Sequence, residues 1–376
     1  MAENNPAAAI AGIFKTPELK SKIGFTLLAL FIYRIGGHIT APGVDVQSLI
    51  AWFQTSQTGG LLGLYDLFVG GGLSRATVFA LGIVPYISSS IVFQILGAVV
   101  PKIEKMQREE EGRKQVTQWT RYLTLAIAMV QAWGYALFTE TIPAAVANPG
   151  FAFKLQMVLF LTTGAMFVMW LGEQITERGI GNGASLLIFF SIVERIWPSI
   201  GQTFGFLNAG SITIFKLFLL LVVMVAVVGF TVAITVAARR VTIQIPQRSM
   251  GRGRQREASM NFIPLRLNAA NVMPIIFAQT VVVVPGLLAQ AFKWPWLQSL
   301  VEYLQPGQPM YFLLSGVLIL FFTYFYTAII FNPVDIAENL KKQGAFIAGV
   351  KPGLKTAEYI ERIVTRITLP GAIFLT

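Results

Sequence analysis

The sequence predicts an all-α protein that crosses a membrane many times. Three observations predict it. Uncharged apolar runs of about 18 residues or more, long enough to span a bilayer as a helix, recur along the chain. Charged residues are scarce, at 12% of 376 positions, and apolar residues make up 55%. The basic residues fall mostly in alternate loops, the distribution that orients multi-spanning proteins.

Soluble domains carry roughly 25% charged residues. With a mean hydropathy of +0.64, this chain has too little polar surface to cover itself in water. There is no cysteine and one histidine, His38, which excludes disulfides, thiolate sites and histidine clusters. The first apolar run, Ile23–Tyr33, continues into Arg34 and a Gly-Gly pair, with no small-residue cleavage site after it.

Eight spans are expected, in this order. The first, about Ile23–Ile39, carries Arg34 near its outer end, where a long basic side chain snorkels toward water. Ala76–Pro101, Tyr122–Thr139 and Leu155–Gly172 follow. The fifth is Gly179–Val193, extended beyond Glu194 and Arg195 by Ile200–Phe206. Leu217–Ala238, Leu267–Phe292 and Tyr303–Val334 complete the set. A ninth begins near Ile363 and has only Ile367–Thr376 left uncharged, about 15 Å of helix, so the sequence is expected to stop within that span.

Twenty-three of the 29 Lys and Arg residues lie in the N-terminal segment and in the loops after spans 2, 4, 6 and 8. These share one side if every span crosses once. The N-terminus is therefore expected in the cytoplasm, with two long basic loops, after spans 6 and 8, facing the cytosol. The net charge of +11 suits anionic lipid headgroups, ribosomal RNA or an acidic protein face.

One segment breaks the pattern. Leu61–Gly72 is apolar, contains Asp66 and is too short to span. It is expected to be interfacial, or a re-entrant piece buried in protein, with Gly70–Gly72 allowing a sharp turn. Chemistry is sparse elsewhere. No Asp or Glu falls in the middle third of any expected span, which weighs against an ion-coupled transporter. No intramembrane protease constellation is present. The glycine run Gly179–Gly183 lacks the phosphate-loop lysine and a preceding strand, so it is read as a turn. No enzyme activity, cofactor or metal is expected.

Three passages resemble one family. They are LSRATVFALGIVPYISSSIVFQIL (Leu73–Leu96), TERGIGNGASLLIF (Thr176–Phe189) and NPVDIAENLKKQGAFIAGVKPG (Asn332–Gly353). Their order and the spacing of the spans are similar to the SecY family of protein-conducting channels. The resemblance implies ten helices in two inverted five-helix halves, here Met1–Phe206 and Leu207–Thr376, around an hourglass pore that also opens sideways. It implies that Leu61, Leu62, Leu64, Tyr65, Asp66, Leu67 and Phe68 belong to a plug. It assigns Ile83, Ile87, Ile188, Ile192 and Ile276 to a pore ring. It places a lateral gate along Ser88, Ile91, Gln94, Asn271, Thr280 and Val284, where Gln94 and Asn271 are expected to find partners across a helix contact.

The resemblance also assigns Arg248, Arg252, Arg254, Arg256 and Lys351 to docking of the ribosome or the SecA motor. Lys351 stands in Ala348–Gly353 where the family usually has arginine, so the charge is kept and the planar fork is lost. Implied partners are the small membrane subunits SecE and SecG, SecA, the ribosome, signal peptides with their nascent chains, and anionic lipids. The implied location is the bacterial inner membrane. Two other classes stay open on the residues: a secondary transporter for a small solute, and an insertase with a hydrophilic groove. A midplane acid set would mark the first, and a midplane arginine the second.

Overall fold

The computed structural model describes residues 16–55, 59–244, 261–292 and 295–376. The described residues form two compact units, one drawn from Met1–Phe206 and Thr280–Tyr311, the other from Leu207–Gln279 and Phe312–Thr376.

The first unit is helical. It contains α1 (Pro17–Gly36), α2 (Val46–Thr55), α3 (Gly59–Phe68), α4 (Val84–Val99), α5 (Pro101–Arg108), α6 (Glu110–Thr141), α7 (Phe151–Arg178), α8 (Gly183–Glu194) and α9 (Ile196–Asn208). Its backbone is the antiparallel pair α6 and α7. The buried positions of α6 include Gly112, Val116, Thr120, Thr124, Ala128, Ala132 and Ala136, a stripe of mostly small residues repeating every fourth position. Such a stripe lies along one face of a helix and lets a neighbouring backbone approach closely. Its threonines are satisfied locally: Thr120 donates to the Val116 carbonyl at 2.9 Å and Thr124 to the Thr120 carbonyl at 2.7 Å. The pair is tied at both ends, by Arg121 with Glu173 at 2.9 Å and by Lys154 with Glu140 at 3.0 Å.

The second unit contains α10 (Ile214–Val236), the antiparallel strands β1 (Ala238–Ile243) and β2 (Asn261–Arg266), α13 (Pro309–Ile330), α14 (Pro333–Lys342) and α15 (Leu354–Leu375), whose bounds place the first three residues of α13 in the other unit. Helix α11 (Met273–Phe292) begins in this unit and α12 (Pro295–Tyr303) lies in the first.

Five stretches are long and apolar enough to cross a membrane among the described residues: α6, α7, Gly183–Asn208, α10 and Pro309–Lys342. A sixth counts if α4 and α5, bent by 110°, are taken together. The eight expected spans are therefore not all matched by length and composition. Helix α1 holds Glu18, Lys20, Lys22 and Arg34 within its 20 residues. Helix α15 carries Lys355, Glu358, Glu361, Arg362 and Arg366 along its length. Of the expected seventh span, Met273–Val282 is a shorter apolar helix.

One further expectation needs correction. The second span was expected to start at Ala76, but residues 69–83 are turns and the helix starts at Val84. Gly70, Gly71, Ala76 and Gly82 all have positive φ, which a right-handed helix cannot accommodate. The fold is mostly helical as expected, with one short two-stranded hairpin among the described residues. The flanks of the basic loop after α10 pair residue by residue, Ala238 with Arg266 through Ile243 with Asn261. A run such as ARRVTI alternates weakly and is too short to stand out from a loop by periodicity.

Candidate functional site

Residues 59–83 are where the backbone departs from spanning helices, and polar contacts hold them. Helix α3 packs against α8. Leu62, Tyr65 and Val69 are buried, and Leu67 is exposed. Non-helical backbone at membrane depth is stable only where its polar groups find partners inside protein. Here they do. The Tyr65 hydroxyl donates to the Leu81 carbonyl at 3.2 Å, and the Tyr135 hydroxyl of α6 donates to the Leu73 carbonyl at 2.6 Å. Val78 N–H donates to the Ile39 carbonyl and Ala41 N–H to the Ala76 carbonyl, both at 2.8 Å.

Asp66 is the charged centre of this segment and is 3% exposed. One carboxylate oxygen accepts from Ser74 N–H at 3.0 Å; the other accepts from the Arg195 guanidinium at 3.1 Å. Its own carbonyl accepts from Gly71 N–H at 2.8 Å. Gly70 and Gly71, at φ of 71° and 83°, supply the left-handed turn that returns the chain over Asp66. Arg195 follows the last residue of α8, and its neighbour Glu194 forms an ion pair with Arg34 of α1. Arg34, expected to snorkel, carries this pair with its side chain 38% exposed. Tyr33 and Ser191 meet through their hydroxyls at 2.8 Å, joining α1 to α8 beside these pairs.

The sequence missed Ser74, Tyr135 and Arg195 as partners of this segment, and the Arg34–Glu194 pair beside it. The signal that was available is the Glu194-Arg195 pair itself, two charges interrupting an apolar stretch. Leu61 and Leu64 lie on the α3 backbone, and Phe68 is half-buried at its end.

The five isoleucines occupy different settings. Ile83 and Ile87 are buried, at the start of α4. The Ile83 side-chain tip lies over Gly172 of α7, 3.2 Å from where a Cβ there would stand. Ile188 on α8 is half-buried, and Ile192 is 43% exposed. Ile276 is buried within the second unit.

Among the expected gate residues, Ser88 has its hydroxyl buried with no hydrogen-bond partner among the described residues. Ile91 and Gln94 are half-buried. Gln94 donates to the Ser90 hydroxyl of its own helix at 3.1 Å, so the partner expected across a helix contact is replaced by one a turn away. Asn271 is exposed at φ 54°, just before α11. Thr280 lies within α11, half-buried, and Val284 lies on the same helix.

Of the docking residues, Arg248, Arg252, Arg254 and Arg256 lie outside the described residues. The strands that lead to them are well anchored. Val241 and Leu265 of the hairpin share a core with Leu340, Ala345, Ile347 and Ile360. Gln244 and Phe346 exchange backbone hydrogen bonds at 2.9 and 3.0 Å. The described flanks of the basic loop after α10 therefore share one core with the loop after α14. Lys351 is exposed on it, and its carbonyl accepts from the Thr356 hydroxyl at 3.0 Å. Arg240 stacks over the Phe262 ring at 4.9 Å.

These features define a multi-pass helical membrane protein with a polar-anchored segment folded back among its helices and a compact basic platform. The chain belongs to the SecY family, whose family pattern matches residues 77–376. It is 44% identical over 367 residues to the protein translocase subunit SecY of Escherichia coli strain K12, covering 96% of this chain and 82% of that relative. Two solved structures have the same fold at 15% identity. One, described as a SecY whose plug domain stabilises the closed state of the translocation channel and maintains a membrane seal, gives a TM-score of 0.65 and covers 94% of this chain and 83% of that one. The other is Sec61 in the canine ribosome-channel complex from the endoplasmic reticulum, with a TM-score of 0.56, 95% and 83% covered.

Proposed function

We propose that this chain forms the channel through which a Sec-type translocase moves secretory proteins across, and releases membrane proteins into, the membrane. The single observation that carries the mechanism is the segment 59–83. It is helical for ten residues, too short to span, and is held back among the helices by hydrogen bonds and an ion pair. A segment anchored in this way by few bonds can leave as a unit, and its relative's plug is described as holding a closed state. We assign Leu61, Leu62, Leu64, Tyr65, Asp66, Leu67 and Phe68 to a plug on this basis.

The channel has a narrow part lined by Ile83, Ile87, Ile188, Ile192 and Ile276. Aliphatic groups offer no fixed hydrogen bond and no charge, so a ring of them excludes water when narrow yet accepts any passing side chain. The wall between Ser88, Ile91 and Gln94 on one side and Asn271, Thr280 and Val284 on the other parts to release apolar segments into lipid. Residues 1–206 and 207–376 are the two inverted halves. The basic platform, with Lys351 and the arginines 248, 252, 254 and 256, receives the ribosome or the SecA motor; the canine Sec61 relative is in a ribosome complex. SecE and SecG are the small subunits that accompany it. The chain does no chemistry itself: the free energy comes from its motor, the ribosome or the membrane potential. It lies in the bacterial inner membrane with its N-terminus in the cytoplasm, because the basic residues gather in alternate loops.

The chain has no native cysteine, so single cysteines report cleanly. A translocating chain stalled midway, carrying one thiol-reactive group, should crosslink to cysteines placed at positions 83, 87, 188, 192 and 276. It should not crosslink to a cysteine at Val225, which is 60% exposed on α10. Crosslinking at Val225 but at none of the five would contradict the proposed path.

A further inference from the structure

Two consecutive residues at the break between α8 and α9 hold two different partners. Glu194 pairs with Arg34 of α1, and Arg195 pairs with Asp66 of the returning segment. The Arg195 side chain also lines the turn that closes over Asp66, lying 3.4 Å from the position a Cβ would take at Gly71. The site is asymmetric in its exposure to solvent. The Asp66 side chain is 4% exposed and the Arg195 side chain 34%. Moving the segment away separates a buried carboxylate from its cation, and a one-sided loss of a buried pair is strongly unfavourable. Moving it also breaks the Ser74 N–H bond to the other carboxylate oxygen. By contrast, the apolar contacts of Leu62 and Val69 are non-directional and can slide.

We propose that the Asp66–Arg195 pair determines which signal sequences open the channel, by setting how strongly the closed state is held. This rests on the reading of residues 61–68 as the plug. A signal sequence opens the channel only to the extent that it binds the open state better than the closed one. The pair raises that requirement, so a weakly apolar signal falls short and a strongly apolar one succeeds. Glu194 and Arg34 fix the wall against which the pair is made, so Arg195 stays in place while the plug moves.

The test uses the full-length complex purified from membranes and reconstituted in planar bilayers and in proteoliposomes. Asp66→Asn keeps the shape and the oxygen that accepts from Ser74 while removing the charge. Arg195→Gln removes the cation. Each should raise the resting ion conductance about tenfold or more, because breaking one side of a buried pair shifts a closed–open equilibrium by at least that much. Each should also raise export of a preprotein whose signal core has been shortened, while export with a full-strength signal stays near the parent. The double variant should leak less than Arg195→Gln alone, because it leaves no buried carboxylate without its cation. Deletion of Leu61–Phe68 is the reference. If the deletion leaks but both substitutions stay tight and selective, the pair is not the determinant and the plug reading survives. If substitution lowers the melting temperature in detergent without raising conductance, the pair only braces the helices and the proposal is overturned. If the deletion itself leaves the channel tight, the plug reading fails and the proposal fails with it.

Discussion

Residues 59–83 and helix α10 are both strongly apolar, yet they are built in opposite ways. Helix α10 reaches a mean hydropathy of 3.0 in its most apolar window, none of which is buried within the protein. Val225, Val228 and Phe230 are all more than half exposed, which suits a surface that faces lipid tails. The returning segment buries Leu62, Tyr65, Asp66, Val69, Leu73 and Ala76, and hydrogen bonds fasten it through Tyr65, Asp66, Leu73, Ala76 and Val78. Hydropathy ranks α10 first, but it measures only how well a helix dissolves in lipid. What distinguishes the returning segment is the polar groups it must satisfy without water.

Glycine substitutions should separate the two regions most. A Cβ added at Gly164 of α7 would run into the carbonyl oxygen of Val78, which belongs to the returning segment. Backbone cannot swing aside as a side-chain tip can. Gly164→Leu should therefore cost several kcal/mol and leave little folded protein in the membrane, in the range of severe overpacking. A Cβ at Gly229 of α10 meets nothing within 4 Å. Gly229→Leu should accumulate as the parent does, with a gain of about 0.5–1 kcal/mol from helix propensity. Detergent-solubilised yield and melting temperature check both. Equal tolerance at the two positions would mean that α7 does not carry the segment.

A smaller effect sharpens the same contrast. Tyr135→Phe removes the hydroxyl that donates to the Leu73 carbonyl and leaves that carbonyl buried without its partner. The expected loss is about 1–3 kcal/mol, the cost of an unmade buried hydrogen bond. It should appear as a lower melting temperature and as a modestly raised resting conductance. A melting temperature equal to the parent's would show that the bond contributes nothing to the fastening.

The membrane class, the long helices α6 and α7 and the odd character of residues 61–72 were legible in the sequence because they depend on local composition and length. The ion pairs were not. Asp66 and Arg195 are 129 positions apart, and nothing in either neighbourhood announces the other. The turn structure of residues 69–83 was hidden for a different reason. FALGIVPYI reads as one apolar run, and only the positive φ at Gly82, with Gly70, Gly71 and Ala76 before it, reveals that the chain is not helical until Val84. The hairpin β1–β2 was read as loop because its strands are six residues long and half exposed, and its stability comes from Leu340, Ile347 and Ile360, far along the chain. The isoleucines were singled out by resemblance. Spacing alone places Ile83 with Ile87, and Ile188 with Ile192, on common helix faces but cannot tell packing from a pore.

On the proposed reading, an aliphatic constriction backed by a removable plug keeps this channel closed to ions. Single-channel conductance of the reconstituted complex tests it most directly. Replacing several of Ile83, Ile87, Ile188, Ile192 and Ile276 with Ser or Gly should produce a resting ion leak, replacing them with Val or Leu should be nearly silent, and removing Leu61–Phe68 should add to the leak while export continues. Polar variants as tight as the parent, with signal selectivity unchanged, would mean that these isoleucines pack helices and that the seal lies elsewhere.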